Sequence, residues 1–283
     1  MVIEWYPGHM TKAKRQMQED IKLIDVIIEI IDARVPISSR NPDIDELGKN
    51  KSRIIVLNKY DMADEMQNKK WSEYFKNKGM YVIETNSRSG QGVKNVNNVI
   101  KEACKEKIER DLRRGIKNRP VRAMVVGIPN VGKSTFINSY AKKAMTKTGN
   151  KPGVTRGKQW IRVNKTLELL DTPGILWPKF DDQSIGVKLA ITGAIKDDIL
   201  NITDLSLELI EFLKNKYPGK LNARYGVDEN QDKVKLLYDI ADARKCLGKD
   251  GEADTEKAAG IIIDDLRKTS IGRITLDRIE DYE

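Results

Sequence analysis

Three short motifs, each directly after a run of apolar residues, constrain the fold of this chain more than any other feature. Gly127 to Ser134 (GIPNVGKS) fits the pattern G-x-x-x-x-G-K-[ST]. Asp171 to Gly174 (DTPG) follows Leu167 to Leu170, and Asn58 to Asp61 (NKYD) follows Ile54 to Leu57. Open α/β sheets place their ligand sites in the loops at the carboxyl ends of buried strands. The three loops are therefore predicted to meet at one edge of a sheet.

The loop from Gly127 to Ser134 has the residues that bind phosphate groups. Its glycines let successive backbone N–H groups curl around an anion, Lys133 adds positive charge toward the outer phosphates, and the Ser134 hydroxyl can ligate Mg²⁺. The helix that starts after it favours an anion through its dipole. The nucleotide-binding residues expected in this loop are Asn130, Val131, Gly132, Lys133, Ser134 and Thr135.

Asn58, Lys59 and Asp61 indicate that the nucleotide carries guanine. The Asp61 carboxylate can accept two hydrogen bonds from the guanine edge, and adenine lacks both donors. Asn86 and Ser87 follow another strand pattern and fit a loop that closes over the base. GTP and GDP are the expected ligands.

The remaining motif supplies contacts to the metal and to the terminal phosphate. Asp171 is expected to hold Mg²⁺ through water, and the Gly174 N–H is expected to sense the terminal phosphate. Gly-rich and Asn-rich loops also follow strands for conformational reasons alone. The placement of every motif at a strand end favours the functional interpretation.

The order of the motifs predicts a rearranged domain. In an ordinary small GTPase the phosphate loop comes first, whereas here Asn58 to Asp61 precedes it by about seventy residues. The alternation of strand and helix patterns favours a mostly parallel sheet with helices on both faces. The expected fold is thus α/β, a circularly permuted P-loop GTPase domain. The charged segment Glu109 to Arg122 is the expected joint created by the permutation.

Two domains are expected in the 283 residues. Residues 1–177 carry the motifs and form the permuted domain. In residues 178–283 the periodicity is helical, which predicts a small all-α domain. The two cysteines are too few for a disulfide framework or a zinc site, no apolar run could span a bilayer, and the N-terminus lacks a secretion signal. A cytoplasmic, monomeric protein is expected.

Charge is distributed unevenly along the chain. Residues 1–177 contain 34 Lys and Arg against 20 Asp and Glu, whereas residues 178–283 contain 17 against 22. From Leu112 to Leu167 there are fourteen basic residues and no acidic one. Such a face suits a polyanion bound through its backbone, and it also fits a solvated surface with no partner. The charge pattern leaves both interpretations open.

The chain resembles the YlqF/RbgA family of circularly permuted GTPases. The resemblance rests on Trp5 to Met10 (WYPGHM), Asp32 to Pro36 (DARVP), the phosphate loop, Gly149 to Thr155 (GNKPGVT) and Asp171 to Pro178 (DTPGILWP). It covers residues 1 to about 200 and thins beyond them. It implies GTP hydrolysis coupled to assembly of the large ribosomal subunit. The implied partners are the large-subunit precursor, ribosomal RNA at the basic face, and ribosomal proteins.

The resemblance also implies roles for individual residues. Thr155 is similar to the switch threonine that closes on Mg²⁺, and Asn130 occupies the position at which related GTPases bind K⁺. Many GTPases position the attacking water with a Gln after the D-x-x-G glycine, but this chain has Ile175 there. His9, the one histidine, is the candidate to contact water or phosphate, unless it only begins a helix.

Two functions remain from the sequence. The first is an assembly factor that binds the precursor in its GTP state and leaves after hydrolysis. The second is a regulatory GTPase that acts on a protein partner through its C-terminal helices. A phosphotransferase is disfavoured because no second substrate site is evident.

Overall fold

A computed structural model describes residues 9–117, 119–145, 159–172, 174, 182–195, 201–248 and 251–282, with backbone only for residues 9–14, 142–145 and 159. These residues form two compact units. We call the described parts of 4–180 and 277–283 the sheet unit, and the described parts of 181–276 the helical unit. The predicted division after residue 177 stays a prediction. The last residues, however, belong to the sheet unit rather than to the helical one.

The sheet unit contains one six-stranded sheet with the order β3-β2-β1-β4-β6-β5 among the described residues. Neighbouring strands are parallel, except that β5 runs antiparallel to β6. The mostly parallel sheet is therefore confirmed. The strands are β1 (Val26–Asp32), β2 (Ser52–Asn58), β3 (Tyr81–Thr85), β4 (Val121–Val126), β5 (Gln159–Asn164) and β6 (Leu167–Asp171).

Strand register places the motif residues at one edge. Asn58 pairs with Asp32 on one side and with Thr85 on the other, and Asp171 pairs with Val125. Strands β2 and β3 lie on one side of β1 in the sheet, and strands β4, β6 and β5 lie on its other side. The strand order changes direction between β1 and β4, which is where open α/β sheets bind ligands.

Helices cover the sheet, and every residue of β1 is buried, as expected for a strand covered on both faces. The residue pattern from Val93 to about Ile108 predicts a single helix, but the chain forms a 3₁₀ turn and then two helices that meet at Cys104. The Ser52 hydroxyl donates to the Ala103 carbonyl at 2.6 Å, at the point where the first of the two helices ends. The helices of this unit are α1 (His9–Asp20), α2 (Asp43–Leu47), α3 (Glu65–Asn77), α4 (Val96–Ala103), α5 (Lys105–Arg113) and α6 (Lys133–Met145).

The joint made by the permutation is shorter than predicted. Helix α5 continues to Arg113, so residues 114–120 alone connect it to β4. The helix is extended by an ion pair one turn apart, in which Lys107 Nζ lies 2.5 Å from Asp111 Oδ2. Arg119 also reaches Asp111, at 3.7 Å, and so attaches the joint to the helix.

The end of the chain packs in the core beneath β2. Ile279 is buried in one apolar cluster with Leu57, Trp71 and Phe75. The Trp71 indole N–H donates to the Asp277 carbonyl at 2.9 Å, so the largest side chain of this cluster is satisfied by the chain terminus. These contacts explain why residues 277–282 depart from the helices that precede them.

The helical unit is a set of five helices among its described residues. Helix α8 packs on α11, and α10 contacts both. Asn201, Asp232 and Asp254 cap three of the helices by accepting backbone N–H groups. The helices are α7 (Gln183–Ile191), α8 (Ile202–Lys216), α9 (Lys220–Tyr225), α10 (Lys233–Ala243) and α11 (Thr255–Arg267).

Candidate functional site

Asn58 connects the phosphate loop with the loop that follows β3. Its side-chain N–H donates to the Val131 carbonyl at 2.8 Å, which fixes the phosphate loop to the end of β2. Its oxygen accepts from the Ser87 amide and hydroxyl, at 3.1 and 2.7 Å, and from the Thr85 hydroxyl at 3.2 Å. Asn58 is buried and its amide oxygen is fully used. Its role in this arrangement is to hold the other loops in place.

The phosphate loop contains backbone conformations that a β-carbon would disrupt. Gly127 and Gly132 have φ of 151° and 100°. A β-carbon on Gly127 would lie 2.5 Å from the Ile30 carbonyl oxygen, and one on Gly132 would lie 2.4 Å from the Asn58 amide nitrogen. Asn130 is left-handed, with φ of 62°, a conformation that asparagine tolerates better than most residues. Both glycines are therefore required for two reasons: a side chain would collide with neighbouring atoms, and their φ angles disfavour any side chain.

Lys133 is a buried cation at the start of α6. Its ammonium group donates to the Ile128 carbonyl at 3.1 Å, within the phosphate loop. Burial lowers the pKa of Lys133 to about 8, although the Asp171 carboxylate opposes this change. A buried ammonium group in a loop of backbone N–H groups is suited to meet a phosphate charge.

Gly174 brings the second motif against the phosphate loop. A β-carbon there would lie 2.7 Å from Lys133 Nζ and 3.0 Å from the Pro129 nitrogen. The Thr172 hydroxyl donates to the Val125 carbonyl at 2.8 Å and fixes the end of β6 to β4. The D-x-x-G backbone therefore lies within contact distance of the lysine that faces the outer phosphates.

Lys59, in the guanine-reading loop, contacts the buried carboxylate of Asp32 and the backbone of the phosphate loop. Its ammonium group lies 2.7 Å from Asp32 Oδ2 and 2.9 Å from the Asn130 carbonyl oxygen. Asp32 also receives two hydrogen bonds from the Arg34 guanidinium, at 3.0 and 2.8 Å. Burial raises the pKa of Asp32, but the charges of Arg34 and Lys59 outweigh it and hold that pKa well below the usual range. Asp32 is therefore an anion that holds both cations in place.

Asp61 faces a cavity of about 420 Å³ beside the phosphate loop. Its Oδ1 is buried and has no hydrogen-bond partner among the described residues. A buried carboxylate oxygen without a partner is costly unless a ligand supplies a donor. The cavity is lined by Asn58, Lys59, Asp61, Met62, Asn86, Ser87, Arg88, Gly132 and Thr135.

The loop after β3 has the shape expected of a base-closing loop. Asn86 accepts backbone N–H groups from Arg88 and Ser89 at 3.0 and 2.9 Å, which makes a compact turn. Ser87 is buried against Asn58. Both residues line the cavity with Asp61, and their contact with the base stays a prediction.

Oxygen atoms that suit Mg²⁺ lie on two neighbouring elements. Ser134 is exposed in the first turn of α6, and Asp171 ends β6 close enough to Lys133 to influence its charge. Hydroxyl, carboxylate and phosphate oxygens are the donors that Mg²⁺ takes. The residues present therefore fit this ion. Among the described residues, no three His, Cys, Asp or Glu side chains form a metal cluster of their own.

Some predicted site residues lie outside what the structure describes. The His9 side chain, Thr155 and Ile175 are among them. The roles of His9 and Thr155 in catalysis, and of Thr155 in metal binding, stay predictions. In the part of the chain that is described, no helix combines the length and apolar character needed to cross a bilayer.

Asp32 and Arg34 were not assigned to the site from the sequence. A signal for Asp32 exists in the sequence, because this residue follows the apolar run Val26 to Ile31, and the structure places that strand between the strands that precede Lys59 and the phosphate loop. Spacing alone could not show that its carboxylate reaches Lys59.

Comparisons with known proteins agree with this geometry. A profile of the family described as 50S ribosome-binding GTPase matches residues 122–238. Ribosome biogenesis GTPase A of Bacillus cereus is 50% identical over 283 residues, which cover all of this chain and 96% of the relative. The protein of the same name from Thermotoga maritima is 30% identical over 99% of this chain and 95% of its own length.

Solved structures match over the same length. The crystal structure of GNP-bound YlqF from T. maritima aligns with a TM-score of 0.67 at 29% identity, over 95% of this chain and 99% of that one. Its GDP-bound structure gives the same TM-score at 28% identity, over 94% of this chain and all of that one. The relatives are matched along their whole length, and their fold is the one described above. The chain is a GTPase that belongs to the ribosome biogenesis GTPase A family.

Proposed function

We propose that the chain is a guanine-nucleotide switch that binds the precursor of the large ribosomal subunit in its GTP state and leaves after hydrolysis. The observation that supports it best is the convergence of the motifs. Asn58 joins the guanine-reading loop to the phosphate loop, and Gly174 contacts the phosphate-loop lysine. A site of this kind binds the base and senses the outer phosphate at the same time.

Guanine specificity is assigned to Asp61. Asp61 lines the cavity together with Ser87 and Gly132, where a base attached to loop-bound phosphates would lie, and its Oδ1 is buried with no partner among the described residues. Adenine would leave this carboxylate without donors. GDP should therefore bind at least about 100-fold more tightly than ADP, measured by calorimetry. Equal affinity for the two nucleotides would remove the basis of the proposal.

Two ions accompany the nucleotide in this proposal. Mg²⁺ would be held by Ser134 and Thr155, with Asp171 acting through water, and would polarise the phosphate oxygens. K⁺ would bind at Asn130 and offset negative charge that develops during hydrolysis. Equal hydrolysis rates in sodium and potassium salts would exclude the K⁺ site.

The partner is assigned from the relatives' names and from the basic face. The described part of the segment Leu112 to Leu167 contains six exposed cations and no acidic residue, although Arg119 pairs with Asp25 and Asp111 from outside the segment. Such a set suits the backbone of ribosomal RNA. These side chains are Arg113, Arg114, Lys117, Arg119, Arg162 and Lys165.

Co-sedimentation with large subunits and their precursors tests the whole cycle. The protein should pellet with the particles in the presence of a non-hydrolysable GTP analogue and should be released with GDP or at high salt. Association that is independent of the nucleotide would contradict the switch. A protein partner that is retained while the ribosomal particle is not would instead favour a regulatory GTPase that acts through its C-terminal helices.

A further inference from the structure

We propose that Asp277, near the end of the chain, is a positioning residue for guanine recognition. Residues 277–282, which we call the C-terminal clasp, hold the loop of residues 33–40, and this loop in turn fixes the cations beside the guanine-reading motif. The inference rests on the proposed function, because it presupposes that Asp61 contacts guanine. It adds that recognition of the base depends on residues more than two hundred positions away in sequence.

The first link is the Asp277 carboxylate, which is fully buried. One oxygen accepts the backbone N–H groups of Ile37 and Ser38 at 2.9 and 2.7 Å. The other accepts the Ser38 hydroxyl at 2.8 Å and the Tyr282 hydroxyl at 3.0 Å. Four hydrogen bonds to one buried carboxylate leave loop 33–40 little freedom to move.

The second link passes from this loop to the site. Ser39, next to Ser38, accepts the Asp32 backbone N–H on its hydroxyl oxygen at 3.0 Å. The Asp32 side chain then holds Lys59 at 2.7 Å and the Arg34 guanidinium in a two-point contact. Arg34 is close enough to Asp61 to interact with its charge. A series of hydrogen bonds and ion pairs thus runs from the clasp to Lys59 of the guanine-reading motif, and Arg34 adds an electrostatic interaction with Asp61.

Apolar packing supports the same connection. Ile279 of the clasp is buried with Leu57 and Ala63, which flank the guanine-reading loop on either side. The Ile279 N–H donates to the Gln67 side chain at 3.0 Å, and the Trp71 indole donates to the Asp277 carbonyl. The clasp therefore supports the guanine-reading loop in two ways, through this apolar cluster and through the contacts of Asp32. Loss of its anchor should loosen the position of Asp61.

Inosine diphosphate is the probe that isolates this effect. It differs from GDP only in lacking the 2-amino group, which is one of the two donors that Asp61 can accept. Wild-type protein should bind it roughly 10-fold or more weakly than GDP. A fraction of unfolded protein weakens both apparent affinities equally, so the ratio of the two dissociation constants reports the position of Asp61 and not the folded population.

The test compares this ratio across four variants of the full chain. Asp277→Ala should lower it to about one third of the wild-type value or less, because Asp61 no longer holds its place. Ser39→Ala cuts the second link, and it should lower the ratio too even if Asp277→Ala folds poorly. Asp277→Asn keeps one oxygen that can accept the Ile37 and Ser38 N–H groups, and its amide can donate to the rotatable hydroxyls, so it should restore the ratio. Glu280→Ala is the matched control, since Glu280 lies in the clasp but contacts Gln67 and Lys70 rather than loop 33–40.

The outcomes distinguish a failure of the proposed guanine site from a failure of the role of the clasp alone. Wild-type protein that binds neither nucleotide, or does not distinguish them, overturns the proposed guanine site. Wild-type discrimination that Asp277→Ala and Ser39→Ala both retain overturns the role of the clasp alone. A loss of discrimination in Glu280→Ala equal to that in Asp277→Ala also overturns it, because the effect would then lack the route through loop 33–40.

Discussion

At Asn58 a single amide connects the loops of the nucleotide pocket. Its oxygen accepts three hydrogen bonds and its N–H reaches the phosphate loop. The motif predicts a residue near the base, but its contacts show a residue that fixes the loop on which Ser87 lies. Motif residues in such a site therefore divide into those that meet the ligand and those that position others.

Gly132 offers a test of the close approach in the phosphate loop. In Gly132→Ala the new methyl group would collide with the Asn58 amide, at a residue whose φ already disfavours a side chain. The free energy of unfolding should fall by about 1–3 kcal/mol, and GDP affinity should fall as the loop shifts. Chemical denaturation and calorimetry measure the two effects.

Gly115 provides the matched control for that substitution. It also has positive φ, but within the described parts of the chain no atom beyond its two chain neighbours lies within 4 Å of the position of its β-carbon. Gly115→Ala should cost about 1 kcal/mol and leave GDP affinity unchanged. Equal effects of the two substitutions would show that torsion alone, and not contact with Asn58, makes Gly132 necessary.

Lys133 makes nucleotide binding dependent on pH. Burial lowers its pKa to about 8, from an ordinary value of 10.5, and phosphate charges should raise that pKa again on binding. GDP binding should therefore take up protons at about pH 8.5 to 9, where the free enzyme has lost part of this charge. Calorimetry in two buffers of different ionisation enthalpy measures the uptake.

The sign of the Lys133 effect can be checked at the other end of the range. At pH 6.5 the ammonium group is protonated with and without nucleotide, so its contribution to proton uptake should disappear. In the free protein the lowered pKa means that the unfolded chain binds more protons between about pH 8 and 10.5. Lys133 should therefore increase the free energy of unfolding as pH rises through that window. If proton uptake is the same at both pH values, a group other than Lys133 takes up the proton.

His9 is the candidate to contact the attacking water, since Ile175 cannot. His9→Ala should slow GTP hydrolysis about 100-fold, the lower range for loss of a proton-handling side chain, and should leave GTP affinity nearly intact. Single-turnover hydrolysis and nucleotide titration measure the two quantities. Gln18, exposed in the same helix, is the control, and Gln18→Ala should change neither. Unchanged turnover in His9→Ala would exclude the role.

Helices and strands were largely predictable because their signals are local. The run Val26 to Ile31 predicts the buried strand β1, and the helical period after Asp204 predicts α8. The interruption of the predicted helix at Cys104 was not predictable, because its cause is the Ser52 hydroxyl from a distant strand. Sequence periodicity carries no information on such a contact.

Within the site, the residues of the motifs were predictable because their signals are also local. Lys133 and Asp61 belong to motifs with fixed spacing, and both line or border the expected pocket. Asp277 makes its contacts across the fold and has no local signature, and the sequence marks Asp32 only as the residue that follows an apolar run. An aspartate near a chain terminus is usually a surface residue, whereas Asp277 is fully buried.

Helix α10 tests the capping assignments in the helical unit. Asp232 accepts the backbone N–H groups of Val234 and Lys235 at 2.9 and 3.0 Å. Asp232→Ala should lower the free energy of unfolding by about 1 kcal/mol, and Asp232→Asn, which keeps an acceptor, should cost less than about half of that. Thermal and urea unfolding measure these values. A loss in Asp232→Asn as large as in Asp232→Ala would indicate that charge, and not capping, is involved.

Over the whole molecule, charge differs between the two parts of the chain. The first 177 residues are strongly basic and the remainder is acidic. Binding to a polyanion through the exposed cations of the first part should weaken steeply with salt, because bound counterions are released. The acidic remainder should add little to this dependence.

A double charge reversal at Arg113 and Arg114 tests this distribution. Both side chains are exposed, and Arg113→Glu with Arg114→Glu should flatten the plot of log affinity for ribosomal RNA against log salt by about 0.7–0.9 for each phosphate group that the protein no longer neutralises. Filter binding over a salt series gives the slope. Lys69→Glu, at an exposed position on α3, is the control. An unchanged slope in the double variant would place the RNA surface elsewhere.

The return of residues 277–282 to the sheet unit has a consequence for biosynthesis. While residues 277–282 are still inside the exit tunnel of the translating ribosome, they cannot reach the strands and helices that were made before them. Assembly of the base-recognition pocket must then wait until residues 277–282 have left the tunnel, which would delay full nucleotide selectivity beyond the synthesis of the motifs themselves. Any appendage fused after Glu283 begins immediately beyond this seated segment, so amino-terminal tags are the safer choice for purification.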